Sequence, residues 1–162
     1  MKINEKNGEH PFGDTGQLIF LASFLLVWVG DSFFLRKSTF LADSVPLYIR
    51  LVLLVLSLVT AAFLFRSGRV VVSHEHRSAD VLSTGAFRYV RHPLYLGCVL
   101  FYLGLAVSTF SLFSFALLAL IFVFYNYIAA YEEKFLVQKF GERDGSYKRS
   151  TGKWVPRIVR RS

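Results

Sequence analysis

Thr84-Gly85-Ala86-Phe87-Arg88-Tyr89-Val90-Arg91-His92-Pro93-Leu94-Tyr95-Leu96-Gly97 runs from polar and cationic residues straight into a long apolar segment, with Pro93 at the junction. Proline is tolerated in the first turn of a helix, where its missing N–H is not needed. The junction therefore predicts a helix that starts at Pro93, with His92 at its mouth. A helix start presents unpaired N–H groups and a partial positive charge, and both favour carboxylates and other anions. Gly97 follows within the first turns and, lacking a side chain, lets something approach the backbone there. The plainer alternative is an interfacial anchor, because Arg, His and Tyr gather where spans leave a membrane.

The 162 residues fit a single domain. Hydrophobic residues make up 54% of them, including 17 Phe, more apolar surface than a water-soluble domain of this size can bury. The chain is therefore expected to be an all-α integral membrane protein. Its net charge of +8 resembles a nucleic-acid signal. The basic residues, however, gather in two segments flanking apolar runs, a pattern that suits an anionic membrane face rather than nucleic acid. The single cysteine, Cys98, excludes an intramolecular disulfide and reads as a small packing residue.

Residues 1–16 are polar, of mixed charge and broken by Gly8, Pro11 and Gly13, which predicts a loose N-terminal tail. Gln17 to Leu35 reads as a first span rather than a cleaved leader, because no small-residue cleavage site follows it. Asp31, near its far end, reads as a solvated residue in preference to a functional intramembrane acid. Val45 to Phe65 is a second span, with Arg50 placed to snorkel to the headgroups. Arg66 to Arg91 is the longest polar stretch between spans; within it Val70 to Val72 suit either a strand or a continued helix. Leu94 to Phe110 and Ser111 to Tyr131 form a third and a fourth run, joined by a tight turn and hence an antiparallel hairpin. Beyond Tyr131 charged residues surround Phe135, Leu136 and Phe140, predicting a helix that emerges from the membrane and then lies along its surface. The expected fold is a bundle of about four spans with a loop at 66–92 and a C-terminal segment at 132–162.

The two most basic regions, the loop and the C-terminal segment, lie on one side if the spans are even in number. Charge bias makes that side the cytoplasm, with the N-terminus joining it and Arg36 to Ser44 outside. His92 and the pair Glu132-Glu133 then share the cytoplasmic face of a multi-pass protein, with the cytoplasmic membrane as its expected place. His74-Glu75-His76 invites a metal reading, but two loop histidines without a clear third ligand are more often solvated, so no metal is expected.

Thr84-Gly85, Arg88-Tyr89, Arg91-His92-Pro93, Tyr95 and Gly97, followed by Glu132-Glu133, Leu136 and Phe140-Gly141, resemble the isoprenylcysteine carboxyl methyltransferase family and the related phospholipid N-methyltransferases. The likeness runs from Val81 to Pro156. It implies a multi-span enzyme that uses S-adenosylmethionine, with the lipid bilayer and an amphipathic or apolar methyl acceptor as its partners. It further implies that Val81, Leu82, Gly85, Phe87, Tyr89, His92, Pro93, Leu94, Tyr95, Glu132 and Glu133 hold the cofactor; Arg91 and Asn126, the latter able to donate a hydrogen bond to the acceptor, are the candidate catalytic residues. These residue types suit those roles. Arg91 and the start of the third helix match the carboxylate of S-adenosylmethionine. Glu132 or Glu133 can accept from its ribose hydroxyls or ammonium, and Phe87, Tyr89 and Tyr95 can face its adenine or sulfonium.

The chain also departs from the family. An Arg usual about one turn before the acidic pair is absent, and Tyr125-Asn126-Tyr127-Ile128-Ala129-Ala130-Tyr131 stands there instead. The tyrosine usual a few residues after Phe-Gly appears as Asp144, although Tyr147 is present. Without an Arg at Asn126 the site lacks its carboxylate clamp, so the expected acceptor has no free carboxylate. The alternatives are a membrane reductase resembling sterol reductases, which lacks support from any glycine fingerprint here, and a non-enzymatic lipid-binding membrane protein.

Overall fold

The structure is a computed structural model that describes residues 13–75, 85–140 and 151–156, with no side-chain description at 69–75 and 135–140. Four helices account for most of it: α1 (Gly13–Val29), α2 (Leu47–Glu75), α3 (Pro93–Thr109) and α4 (Leu112–Phe140). A π-helical turn, Gly30–Leu35, extends α1, and short 3-10 turns occupy Phe40–Ser44 and Gly85–Arg88. In lipid the backbone must satisfy its own polar groups, so apolar runs of this length form helices. Among the described residues three stretches are long and apolar enough to cross a bilayer: Gly13–Leu35, Leu47–Gly68 and Leu112–Lys134. The 17 residues of α3 rise about 25 Å, short of the roughly 30 Å hydrocarbon core. The molecule is a helical membrane bundle.

Three boundaries differ from the sequence reading. Helix α1 begins at Gly13, so the end of the expected loose tail is helical, while residues 1–12 lie outside the described residues. Helix α2 runs on to Glu75, which resolves Val70 to Val72 as helix. Glu132 to Phe140 continue α4 without a break, so the fourth helix does not end at Tyr131.

Helices α2 and α3 are antiparallel and packed through small residues. A Cβ on Gly97 would stand 3.3 Å from the Ala61 carbonyl oxygen, and one on Gly104 would stand 2.9 Å from Ser57 Cβ. At the other end Leu94 fills the space over Gly68, where its Cδ2 leaves only 2.7 Å for a Cβ. Apolar burial against lipid tails adds nothing to helix association, so such close approach supplies the attraction. What approaches Gly97 is therefore α2. Helix α1 lies antiparallel to α4 and parallel to α3. Phe20 packs on Phe124 at 4.7 Å, Phe24 on Tyr102 at 4.7 Å, and Trp28 Nε1 donates to the Leu105 carbonyl at 2.8 Å. Phe24, Tyr102, Ala106, Leu118, Ile121 and Tyr125 form the buried core, with Cys98 packed against it as expected of a small apolar residue. Leu51, Val52, Val55, Leu56, Val59 and Phe63 leave a broad apolar outer face on α2.

The hairpin end is held by a buried carboxylate. Asp31 is 2% exposed, which overturns its reading as a solvated residue. Its Oδ1 accepts the N–H groups of Lys37 and Ser38, each at 3.1 Å. Its Oδ2 accepts the hydroxyls of Ser38 and of Ser111, the latter at 2.6 Å. Ser38 in turn accepts the N–H of Leu112 on its carbonyl and that of Phe113 on its hydroxyl, satisfying the start of α4. Arg50 does not reach outward. It donates to the carbonyls of Val45 and of Ser108, each at 3.1 Å, the second near the C-terminal end of α3, where a cation is favoured. The 36–46 connector and the α3–α4 turn thus share one end of the bundle. The start of α3 and the later turns of α4 share the other.

Candidate functional site

The site forms where the start of α3 meets the later turns of α4. Gly85 opens a 3-10 turn with φ of 60°, a left-handed conformation that favours glycine. Tyr89 and Val90 donate back to the Ala86 carbonyl and close that turn. The chain then meets the C-terminal segment: Val90 and Gly152 form an isolated parallel bridge, and Arg91 N–H donates to the Gly152 carbonyl at 2.9 Å. His92 occupies the N-cap position of α3, Pro93 follows at the first helical positions, and both are buried. The His92 carbonyl accepts the first backbone bond, from Leu96 N–H at 3.0 Å, but no side chain caps the helix.

Glu132 and Glu133 project into this junction from α4. His92 Nε2 lies 3.1 Å from Glu133 Oε1, and His92 Nδ1 lies 3.7 Å from Glu132 Oε2. Arg91 Nη1 reaches Glu133 Oε1 at 3.2 Å. The Tyr95 hydroxyl donates to Glu132. The Tyr95 ring stacks on His92 at 5.7 Å and on Tyr125 at 5.2 Å. Residues about 40 apart in sequence thus make one charged, half-buried cluster. One donor in it is left over: Arg91 Nε is buried and has no hydrogen-bond partner among the described residues. A buried unpaired donor is costly, and so marks a place where an anion would be welcome.

Of the residues singled out from sequence, Arg91, His92, Tyr95, Glu132 and Glu133 come together. Pro93 is buried at the helix start, Phe87 is half-buried, and Gly85 shapes the entry. Tyr89 is 59% exposed and stands at the surface. Leu94 is engaged with α2 at Gly68. Val81 and Leu82 lie outside the described residues, as do Thr84, His76, Gly141, Asp144 and Tyr147. Asn126 lies at the exposed edge of the cluster rather than within it.

Sequence reasoning missed the C-terminal strap, residues 151–156. Trp154 packs at 6.1 Å from His92 and 5.4 Å from Phe122, and its Nε1 donates to Asn126 Oδ1 at 3.2 Å. Lys153 Nζ donates to the same Oδ1 at 2.8 Å and to the Asn126 carbonyl at 3.2 Å. Position 126 carries no charge of its own, yet a cation from 27 residues away stands on it. The premise that this part of the site lacks a cation is thereby corrected. A hint lay in the sequence, since Trp154 is an isolated large aromatic in a basic tail, but nothing there told where the tail returns.

The model of one protein family, described as phospholipid methyltransferase, matches residues 41–143. No curated protein and no solved structure matches the chain. The matched range includes α2, α3, their intervening loop and α4, and thus contains the whole Arg91–Glu133 cluster but not Lys153 or Trp154.

Proposed function

The chain belongs to the phospholipid methyltransferase family, and we propose from it that S-adenosylmethionine binds where Arg91, His92, Tyr95, Glu132 and Glu133 meet. Methyltransferases of this family generally use that cofactor. The observation that carries the reading is the convergence of two acidic and two basic side chains around the buried, unpartnered Arg91 Nε. That nitrogen, with the uncapped N–H groups at the start of α3, suits the cofactor's carboxylate. Glu132 and Glu133 suit its ammonium and ribose hydroxyls, with Tyr95 and His92 as the partners they exchange. The rings of Tyr95 and Trp154 suit an adenine face or the sulfonium. Phe87, held half-buried beside the turn at Gly85, is a further candidate contact.

When bound, the cofactor supplies a methyl group on a sulfonium, an electrophile that needs no further activation. The work of the chain is then to bind, align and exclude water. Arg91 and His92 hold one end of the site, Glu132 and Glu133 the other, and Trp154 closes over His92. An amphipathic or apolar acceptor enters sideways from the bilayer, along the exposed Phe122, Val123 and Tyr127 of α4. Asn126 lies on that path. The density of basic residues around the site end supports a cytoplasmic location for this end and for both chain termini.

Calorimetric titration of purified protein in neutral detergent tests the cofactor site. The expected result is binding of S-adenosylmethionine by the wild type, weakened ten-fold or more in His92→Ala and in Glu133→Ala. Each loses a charge-assisted hydrogen bond, with a cost of about 1.5–3 kcal/mol. A thermal unfolding profile run alongside separates lost binding from lost fold. Unchanged affinity in both variants removes the site assignment, and no binding by the wild type removes the cofactor.

A further inference from the structure

We propose that Tyr125, buried in the bundle core, is a positioning residue of the cofactor site: its ring keeps Tyr95 in place while Glu132 turns from Tyr95 to the bound cofactor. The part played by the cofactor rests on the reading given under the proposed function.

The first ground is register. Tyr125, Ile128, Ala129 and Glu132 follow at helical spacing and so share one face of α4. Tyr125, Ile128 and Ala129 are all buried. Tyr95 of α3 spans this face. Its hydroxyl donates to Glu132, and its ring stacks on Tyr125 at 5.2 Å with 29° between the planes. One side chain is thus gripped at both its ring and its hydroxyl by residues two turns apart on the same helix.

The second ground is what holds Tyr125 itself. It is 1% exposed and belongs to the core formed with Phe24, Tyr102, Leu118 and Ile121. Its hydroxyl is paired with Cys98 and Tyr102, both on α3. A buried ring whose polar end has partners, packed at the density of a protein interior, has little room to turn. Tyr125 is therefore a fixed platform, whereas Tyr95 and Glu132 are only half-buried at the site end.

The third ground is the exchange that binding brings. Glu132 Oε1 accepts from Tyr95, and Glu132 Oε2 faces His92 Nδ1 at 3.7 Å. A ribose hydroxyl or an ammonium that bonds to Glu132 competes with these partners. Once Tyr95 loses Glu132, the contacts of its ring decide whether it stays beside the site. Tyr125 supplies the ring contact that comes from the core. Without it Tyr95 must be ordered as the cofactor binds, and that lost freedom weakens affinity.

Calorimetric titration with S-adenosylmethionine, on the full chain in neutral detergent, tests this. Tyr125→Leu removes the ring and should weaken binding about five-fold, the size of one aromatic pair. Tyr125→Phe keeps the ring and should bind like the wild type. Phe24→Leu disturbs the same core away from Tyr95, so it should lower the unfolding temperature and leave affinity unchanged. In a Tyr95→Leu background Tyr125→Leu should have no further effect on affinity, because the residue it positions is gone. Tyr125→Met, unbranched and able to fill the space, takes the place of Tyr125→Leu if the latter does not fold. Unchanged affinity on loss of the Tyr125 ring overturns the proposal. So does an equal loss in Tyr125→Phe or in Phe24→Leu, or a loss in the double variant that is the sum of the two single ones. No binding by the wild type overturns the cofactor reading and this one with it, whereas binding indifferent to Tyr125 leaves the cofactor reading standing.

Discussion

Asp31 illustrates what one residue does when its surroundings are assembled from distant parts. Four donors from Lys37, Ser38 and Ser111 converge on its two oxygens, so its charge is solvated by protein in place of water. An intramembrane acid is a functional candidate by default, but this carboxylate is occupied in tying the α1–α2 connector to the start of α4. Asp31→Ala would leave buried hydroxyls and N–H groups without an acceptor, and the expected loss is about 3 kcal/mol of stability. Thermal unfolding in detergent measures it, and a profile like that of the wild type would show that the network does not hold the hairpin end. His92 is the residue-scale counterpart at the other end. It stands at the mouth of α3, where the junction at Pro93 put it, and its ring lies between two carboxylates supplied by another helix.

At the scale of elements, the α2–α3 pair is the tightest helix contact, and its geometry is set by glycine. Gly104→Ala places a methyl 2.9 Å from Ser57 Cβ, an atom that cannot swing away. The helices must part, and overpacking of this kind costs about 1–3 kcal/mol. Gly30→Ala is the control, since nothing lies within 4 Å of its added Cβ. Thermal unfolding should therefore drop for Gly104→Ala and hold or rise for Gly30→Ala. Equal behaviour of the two would show that α2 and α3 are not packed as described. The strap is the second informative element. It has little regular structure and is held mainly by the Gly152 bridge, the two residues on Asn126 and the ring contacts of Trp154.

For the whole molecule, the connector and the hairpin turn lie at one end, and the candidate site lies at the other. Combined with the basic composition around the site end, this predicts that residues 78 and 162 face the cytoplasm. With Cys98 replaced by serine, single cysteines at Ser78 and Ser162 should resist an impermeant maleimide in intact cells and react after lysis. Labelling of either from outside would reverse the orientation and place the site on the external face.

Apolar run lengths determined by themselves that the chain is a helical membrane bundle, because a bilayer leaves a long apolar segment almost no other structure. The junction at Pro93 determined where α3 starts, since a missing N–H and a fixed φ act locally. Arg91, His92, Tyr95, Glu132 and Glu133 were legible as residue types at helix ends. The tertiary structure alone decided the rest. That Gly97 and Gly104 serve contact with α2, that Arg50 holds the end of α3, and that Asp31 is buried all depend on which helices become neighbours. A lone residue's environment is not written in its local sequence. The cation at Asn126 shows this most directly: α4 carries none at that position, and Lys153 reaches it only because Gly152 pairs beside Arg91 and turns the tail back over the site.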